Sequence, residues 1–305
     1  MKFFDLHCDT AYEIYRKKTA LLHNLCAVDL KRGLNFEHYV QNFAIFIEDG
    51  LSPDESHERF LKIATNLQKE IDKNSDKIML CRSFFDINRA KSEKKIAAIL
   101  SIENAAALGG KIENLEKAHD LGICIISTTW NGENDLASGC QKSGKIKPFG
   151  CEILQKMQSL GMVLDISHLN FEGFWHAFEI FGGKIIATHS NAKTICDHPR
   201  NLDDNQIRAI ISRGGLIGLN LYPPFINGAE TARLCDLFKH AEHILNLGGC
   251  EILSIGSDFD GADLDKKWDN LDKIPNLFDE FSKYFGTKIA EKIFYKNAYK
   301  FFENL

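Results

Sequence analysis

The 305-residue sequence has no excess of positive charge: 37 Lys and Arg stand against 42 Asp and Glu, a net charge of -5. That leaves no basic footprint for a nucleic-acid backbone and no polybasic patch for a membrane surface. Nine cysteines contain no C-x-x-C pair, and Cys124, Cys151, Cys196 and Cys250 lie in or beside apolar runs. They read as reduced, buried thiols of a cytosolic protein, not as a disulfide framework. There is no repeat, no low-complexity tract and no linker to mark a second domain. Nothing ahead of Phe3 offers the charged and apolar parts of a secretion signal. Tyr295–Leu305 alternates aromatic with charged and amide residues, so neither a membrane span nor a lipid-anchor tail is expected there. The expected location is the cytoplasm.

What is present is a set of short apolar runs in a chain that is 44% hydrophobic. In order they are Phe3–Leu6, Phe43–Ile47, Ile96–Ile102, Ile123–Ile126, Met162–Ile166, Lys184–Ala187, Leu216–Leu219 and Ile252–Ile255. Their length and their richness in Ile, Val, Leu and Phe suit strands buried on both faces. Between them lie segments with helical spacing, such as Pro53–Asp72, Leu115–Leu121, Glu152–Leu160 and Asp203–Arg213. Strand then helix, about eight times, predicts an α/β fold of the (β/α)8 TIM barrel type, one domain over residues 1–305. An open doubly wound sheet would want a Gly-rich first turn, and His7-Cys8-Asp9-Thr10 stands there instead. Thr10–Gln41 and Asn131–Pro148 read as loop insertions. Ile274–Leu305 reads as two helices capping the barrel, with an apolar stripe through Leu277, Phe278, Phe281, Ile289, Ile293 and Phe294.

The chemistry sits where these runs end. Run one ends in His7 and Asp9, run three in Glu103, run five in His168, run six in His189 and run eight in Ser257-Asp258-Phe259-Asp260-Gly261. In an α/β barrel the C-terminal strand ends share one mouth, so these side chains should converge. His7 and Asp9, two residues apart, share a strand face, while Cys8 points the other way into packing. Two histidines, an aspartate and a glutamate could serve one ion. A third histidine points to two, with His7 and Asp9 on one, His168 and His189 on the other, and Glu103 bridging. Imidazole and carboxylate without thiolate favour zinc, with manganese or cobalt as alternatives in vitro. Such a pair shares a hydroxide that attacks a carbonyl at neutral pH. Asp258 is suited to proton transfer, with Asp260 competing for the role. Arg200 is suited either to gripping a substrate carboxylate or to pairing at the surface with Asp203 or Asp204.

These residues together resemble a known family. His7-x-Asp9, Ser101-Ile102-Glu103 followed by Gly109-Gly110, Asp165-Ile166-Ser167-His168, Thr188-His189-Ser190-Asn191, His198-Pro199-Arg200-Asn201-Leu202-Asp203 and Gly256-Ser257-Asp258-Phe259-Asp260-Gly261 fall in the order of the membrane dipeptidase (renal dipeptidase) family of zinc peptidases. The resemblance implies a barrel of the metal-dependent hydrolase superfamily and two zinc ions on His7, Asp9, Glu103, His168 and His189, with Glu103 between them. It also implies Asp258 as acid/base, Arg200 on the substrate carboxylate, Tyr222 near the substrate, a homodimer, and dipeptide substrates, including ones with a C-terminal D-residue. It departs at one point: relatives of the renal type carry a substrate-contacting histidine where this chain has Trp130, which then forms an apolar wall or packs. Two other readings stay open. One is a different amidohydrolase, a deaminase or lactonase, although the fourth run ends in Ser127-Thr128-Thr129-Trp130 with no bridging lysine. The other is a barrel that binds a small molecule without turnover.

Overall fold

The structure is a computed structural model in which residues 1–304 are described. Its strands, all parallel, are β1 Lys2–Cys8, β2 His38–Phe46, β3 Ile78–Leu80, β4 Ile96–Glu103, β5 Ile123–Ser127, β6 Val163–Asp165, β7 Ile185–Ala187, β8 Leu216–Leu219 and β9 Leu253–Ile255. Eight of them close a ring in the order β1-β2-β4-β5-β6-β7-β8-β9, with β9 returning to β1. This is the (β/α)8 barrel expected from the eight apolar runs.

Three details differ from the pattern reading. A ninth strand, β3, pairs Ile78–Leu80 with Ile96–Ala98 on the lower part of β4, below the stretch where β5 pairs with Leu100–Ile102. Three residues are too short a run to separate from a loop by periodicity. The stretch Thr10–Gln41 is not all insertion: it holds the helix Thr10–Lys17 and the first residues of β2. That strand begins at His38 rather than Phe43 because Gln41 and Asn42, polar yet buried, find bonds inside. Asn42 donates to the Leu6 carbonyl at 2.8 Å.

The interior divides along the barrel axis. At the N-terminal ends of the strands, Phe4, Leu6, Val40, Ala97, Ile99, Ile125, Val163, Ile186 and Leu216 form one buried apolar cluster. Tyr295, Ala298, Phe301 and Phe302 join it from the C-terminal segment, and Phe302 stacks on Phe4 with ring centroids 5.2 Å apart. This segment runs Thr287–Glu291, a π-helical turn Lys292–Lys296, then Asn297–Glu303, and it plugs the floor. A larger apolar layer lies between strands and outer helices, and it takes Leu277, Phe281, Ile293 and Phe294 from the predicted stripe.

Local signals set the helices that hold the loops. Ser52 and Glu55 form a capping box on Pro53–Lys73, and Asp203 and Gln206 form another on Asp204–Ser212. Among the described residues no helix is long and apolar enough to cross a membrane.

Candidate metal centre and active site

On β1 the ladder to β2 pairs Asp5 with Gln41 and then Cys8 with Phe43, three residues against two. This bulge leaves Leu6 in the floor cluster and turns the next residue, His7, to the mouth as well, while Cys8 joins the outer layer. Asp9 follows as the N-cap of the helix Thr10–Lys17, yet its carboxylate makes no cap bond. An N-terminal Asp ordinarily caps the helix it precedes. Here Oδ2 lies 3.2 Å from His7 Nε2, and Oδ1 is buried with no partner.

Glu103, at the end of β4, divides its two oxygens. Oε2 lies 3.3 Å from His7 Nε2, and Oε1 lies 2.7 Å from His168 Nε2 and 3.8 Å from His189 Nε2. The convergence expected from the strand ends is therefore present: His7, Asp9 and Glu103 form one buried set of donors, and Glu103, His168 and His189 form another. A third set, His7, His189 and Asp258, places Asp258 over the same centre, with donor atoms within 4.8 Å of one another.

The donors fit divalent cations on the ground of their own hydrogen bonds. His168 Nδ1 lies 3.0 Å from Asn131 Oδ1, an oxygen that can only accept, so this nitrogen carries the ring proton. His189 Nδ1 faces the Thr188 hydroxyl at 2.8 Å. The Thr188 hydroxyl donates its proton to Asp165 Oδ2 at 2.6 Å and so accepts from His189 Nδ1; both Nε2 atoms then present lone pairs, and they face each other at 2.9 Å. Two lone pairs at that distance repel unless a positive charge is shared between them. The ionisation pattern tells the same story. Burial opposes a charge on His7, but the Glu103 and Asp9 carboxylates hold its pKa well above the usual range. Burial and the charge of Glu103 raise Asp9 well above the carboxylate range. Glu103 is held well below it, against its burial, by His7 and His168. His168 is pushed down by burial and by Arg200, and His189 well down by burial and by its neighbour His7. A proton on His7 between two carboxylates occupies the place that a bound cation would take. The buried histidine, glutamate and aspartate donors are consistent with a two-ion site in which Glu103 would serve both ions.

The roles of the residues that hydrogen-bond to the ligand histidines are not assigned from the sequence. Thr188, Asp165 and Asn131 contact ligand histidines or one another; Thr188 and Asn131 carry no metal-type side chain, and Asp165, although acidic and part of the motif Asp165-Ile166-Ser167-His168, takes no role from its position in the chain. The only hint is that Ser167 and Thr188 each stand directly before a ligand histidine. Backbone conformation at the mouth is also unusual: Asn104, Asp258 and Asp260 have φ of 75°, 63° and 66°. Asn and Asp are the non-glycine residues that tolerate this region best.

The two aspartates of the last loop separate cleanly. Asp260 has both oxygens engaged, one by Thr10 Oγ1 and one by the Ala27 N–H at 2.7 Å. Asp258 accepts from Asn220 Nδ2 at 2.9 Å through Oδ2 and faces the histidines. Arg200 is not a surface residue. It is 4% exposed, with Nη2 lying 3.2 Å from His168 Nε2 and 3.3 Å from the His189 carbonyl, while Nε and Nη1 are buried without partners. Asp203, its alternative partner, caps the following helix instead. These groups open into a cavity of about 900 Å³ that Trp130 and Tyr222 also line. Trp130 packs edge-on to Phe46, and Tyr222 packs edge-on to Phe225.

The barrel and the buried donor cluster at its strand ends fit a metal-dependent hydrolase. The chain belongs to the membrane dipeptidase family (peptidase family M19), which it matches over residues 1–305. It is accordingly a metal-dependent dipeptidase in class. It is 28% identical to a protein encoded in the pqqA 5' region of Klebsiella pneumoniae, over 78% of this chain and 93% of that one. It is 26% identical to the dipeptidase aclJ of Aspergillus oryzae, over 79% of this chain but only 60% of the fungal protein. A metallopeptidase from Rhodobacter sphaeroides, solved with a phosphinate mimic of the dipeptide L-Ala-D-Ala, superposes with a TM-score of 0.92 at 21% identity, covering 99% of each chain.

Proposed function

We propose that this chain hydrolyses the peptide bond of free dipeptides, including those with a C-terminal D-residue, with two zinc ions held by His7, Asp9, Glu103, His168 and His189. The observation that carries the substrate assignment is Arg200: a buried guanidinium beside the donor cluster, with Nε and Nη1 unpaired. Burying a cation without a partner costs several kcal/mol, so a ligand carboxylate is the fitting complement. The dipeptide mimic bound by the Rhodobacter protein supports the same class and the D-configuration.

Bound divalent ions supply an activated water and polarise the attacked carbonyl. The protein groups do the rest. Arg200 takes the C-terminal carboxylate, which sets the distance to the scissile bond and admits only one residue beyond it. Asp258, oriented by Asn220, accepts a proton from the attacking water as the O–C bond forms. It returns that proton to the amine nitrogen as the C–N bond breaks, so the carboxylate ends as it began. Trp130 and Tyr222 wall the substrate. The reading also places the protein in the cytoplasm, where its nine free cysteines stay reduced, and as a homodimer.

The test is hydrolysis of Gly-, L-Ala- and D-Ala-containing dipeptides by the full chain after chelation and after zinc is restored. Metal-dependent turnover is expected. Arg200→Ala should lower kcat/KM for dipeptides by roughly 2–5 kcal/mol, the cost of removing one partner of a buried charge pair. An enzyme for neutral amides or lactones would be indifferent to that substitution, and such a result, or no turnover of any dipeptide, rejects the assignment.

A further inference from the structure

Thr188 follows β7 directly and is fully buried just below the metal centre. Its backbone N–H and its hydroxyl both donate to the Asp165 carboxylate at the end of β6, at 3.0 and 2.6 Å. The Ser167 N–H and hydroxyl donate to the same carboxylate at 3.0 and 2.6 Å. Four donors therefore hold Asp165, which is 4% exposed. A hydroxyl has one proton, and that of Thr188 is committed to Asp165 Oδ2. Toward everything else its oxygen can only accept. It faces Nδ1 of His189 at 2.8 Å and, more loosely, Nδ1 of His7 at 3.5 Å. Those two rings lie against each other, with centroids 3.9 Å apart, and belong to different donor sets around Glu103.

We propose that Thr188, held by Asp165, is a positioning residue of the metal centre: its proton-committed hydroxyl forces His189 into the Nδ1–H form and aims the Nε2 lone pair at the cation site, with a second, weaker hold on His7. Asn131 does the corresponding work for His168. The strand-end sequence places a hydroxyl one residue before the ligand, and the neighbouring strand supplies the carboxylate that uses up its proton. Removing the acceptor frees the His189 ring to place its proton on either nitrogen or to rotate, so one donor of the set is lost part of the time. Outer partners of this kind are worth about 10–100-fold in metal affinity. The inference rests on the two-ion reading of the site but not on the choice of substrate.

Two measurements on the full chain test it. In the metal-free wild type, ¹⁵N-labelled histidine spectra should show neutral His189 protonated at Nδ1, and a proton on Nε2 overturns the proposal outright. Calorimetric titration with Co²⁺ then compares Thr188→Val, which keeps the shape but not the acceptor, with Thr188→Ser, which restores it. The valine variant is expected to bind at least one of the two ions 10–100-fold more weakly, and the serine variant to stay within about threefold of the wild type on the same argument. Wild-type affinity for both ions in the valine variant rejects the role. If that variant does not fold, the wild-type histidine spectrum decides alone. A wild type that binds both ions as expected but cleaves no dipeptide refutes the substrate assignment and leaves this inference standing.

Discussion

At the floor of the barrel, Phe4 on β1 stacks on Phe302 inside a cluster that the strands fill with Val, Ile and Leu. Three residues further along the same strand, His7 meets Asp9, Glu103 and His189 in a space almost as dry. The floor gains from burial: apolar area leaves water and the side chains pack against one another. The mouth loses by it, because carboxylates and a guanidinium are desolvated with partners missing, as at Asp9 Oδ1 and Arg200 Nε. The difference teaches where each property resides. Stability is stored at the floor and spent at the mouth on a site that a cation and a carboxylate would complete.

The contrast can be broken at either end. Glu103→Ala removes the carboxylate common to both donor sets. Metal-dependent hydrolysis should fall by several kcal/mol of transition-state stabilisation, roughly a thousandfold or more, with metal content falling in parallel. Phe302→Ala at the floor should do the reverse, costing about 3–5 kcal/mol of unfolding free energy in a denaturant titration. Turnover per folded molecule should be unchanged. If Phe302→Ala instead lowers turnover by as much as it lowers stability, the two regions are coupled and the division fails.

Acid sharpens the comparison away from the mouth. His38, against Tyr295 near the floor, and His240, between the Ala192 N–H and the Ile226 carbonyl, are each pushed down to about 4 by burial. The unfolded chain takes up protons on both near the ordinary histidine value of 6.5, while the folded chain does not until about 4. The unfolded state therefore binds more protons in that window, and stability that is complete above it is lost as pH falls through it. From neutral pH down to about 5.5 the two together should cost about 2–3 kcal/mol. Melting of the metal-free protein against pH checks this, and a His38→Asn, His240→Asn variant should show a flatter slope. The smallest effect belongs to a surface signal: Asp203→Ala removes the cap of the helix Asp204–Ser212 and should cost about 1 kcal/mol, with dipeptide affinity unchanged although Arg200 lies only three residues before it.

The pattern of residues carried the strand order and most of the donors. Glu103 follows Ile102 directly, and His168 and His189 each stand one hydroxyl residue beyond a mainly apolar run; a run that ends near a metal-type side chain is legible without coordinates. Asp258 is preferred over Asp260 because it comes directly off the last strand, and the fold adds a physical reason, since Thr10 and the Ala27 N–H engage both oxygens of Asp260. Arg200 was ambiguous: its sequence neighbour Asp203 is acidic, but capping uses that carboxylate up. The strand β3 and the early start of β2 escaped because one is too short for a period and the other is interrupted by Gln41 and Asn42.

By itself the chain determined the alternation of strands and helices and the residue types at the strand ends, since these depend on neighbours one to four positions apart. Only the folded barrel decided which oxygen of Glu103 faces which histidine, that Thr188 spends its proton on Asp165, and that Phe302 closes the floor against Phe4. Those contacts join residues tens to hundreds of positions apart, and their partners are selected by the curvature and register of the closed sheet, which no local pattern encodes.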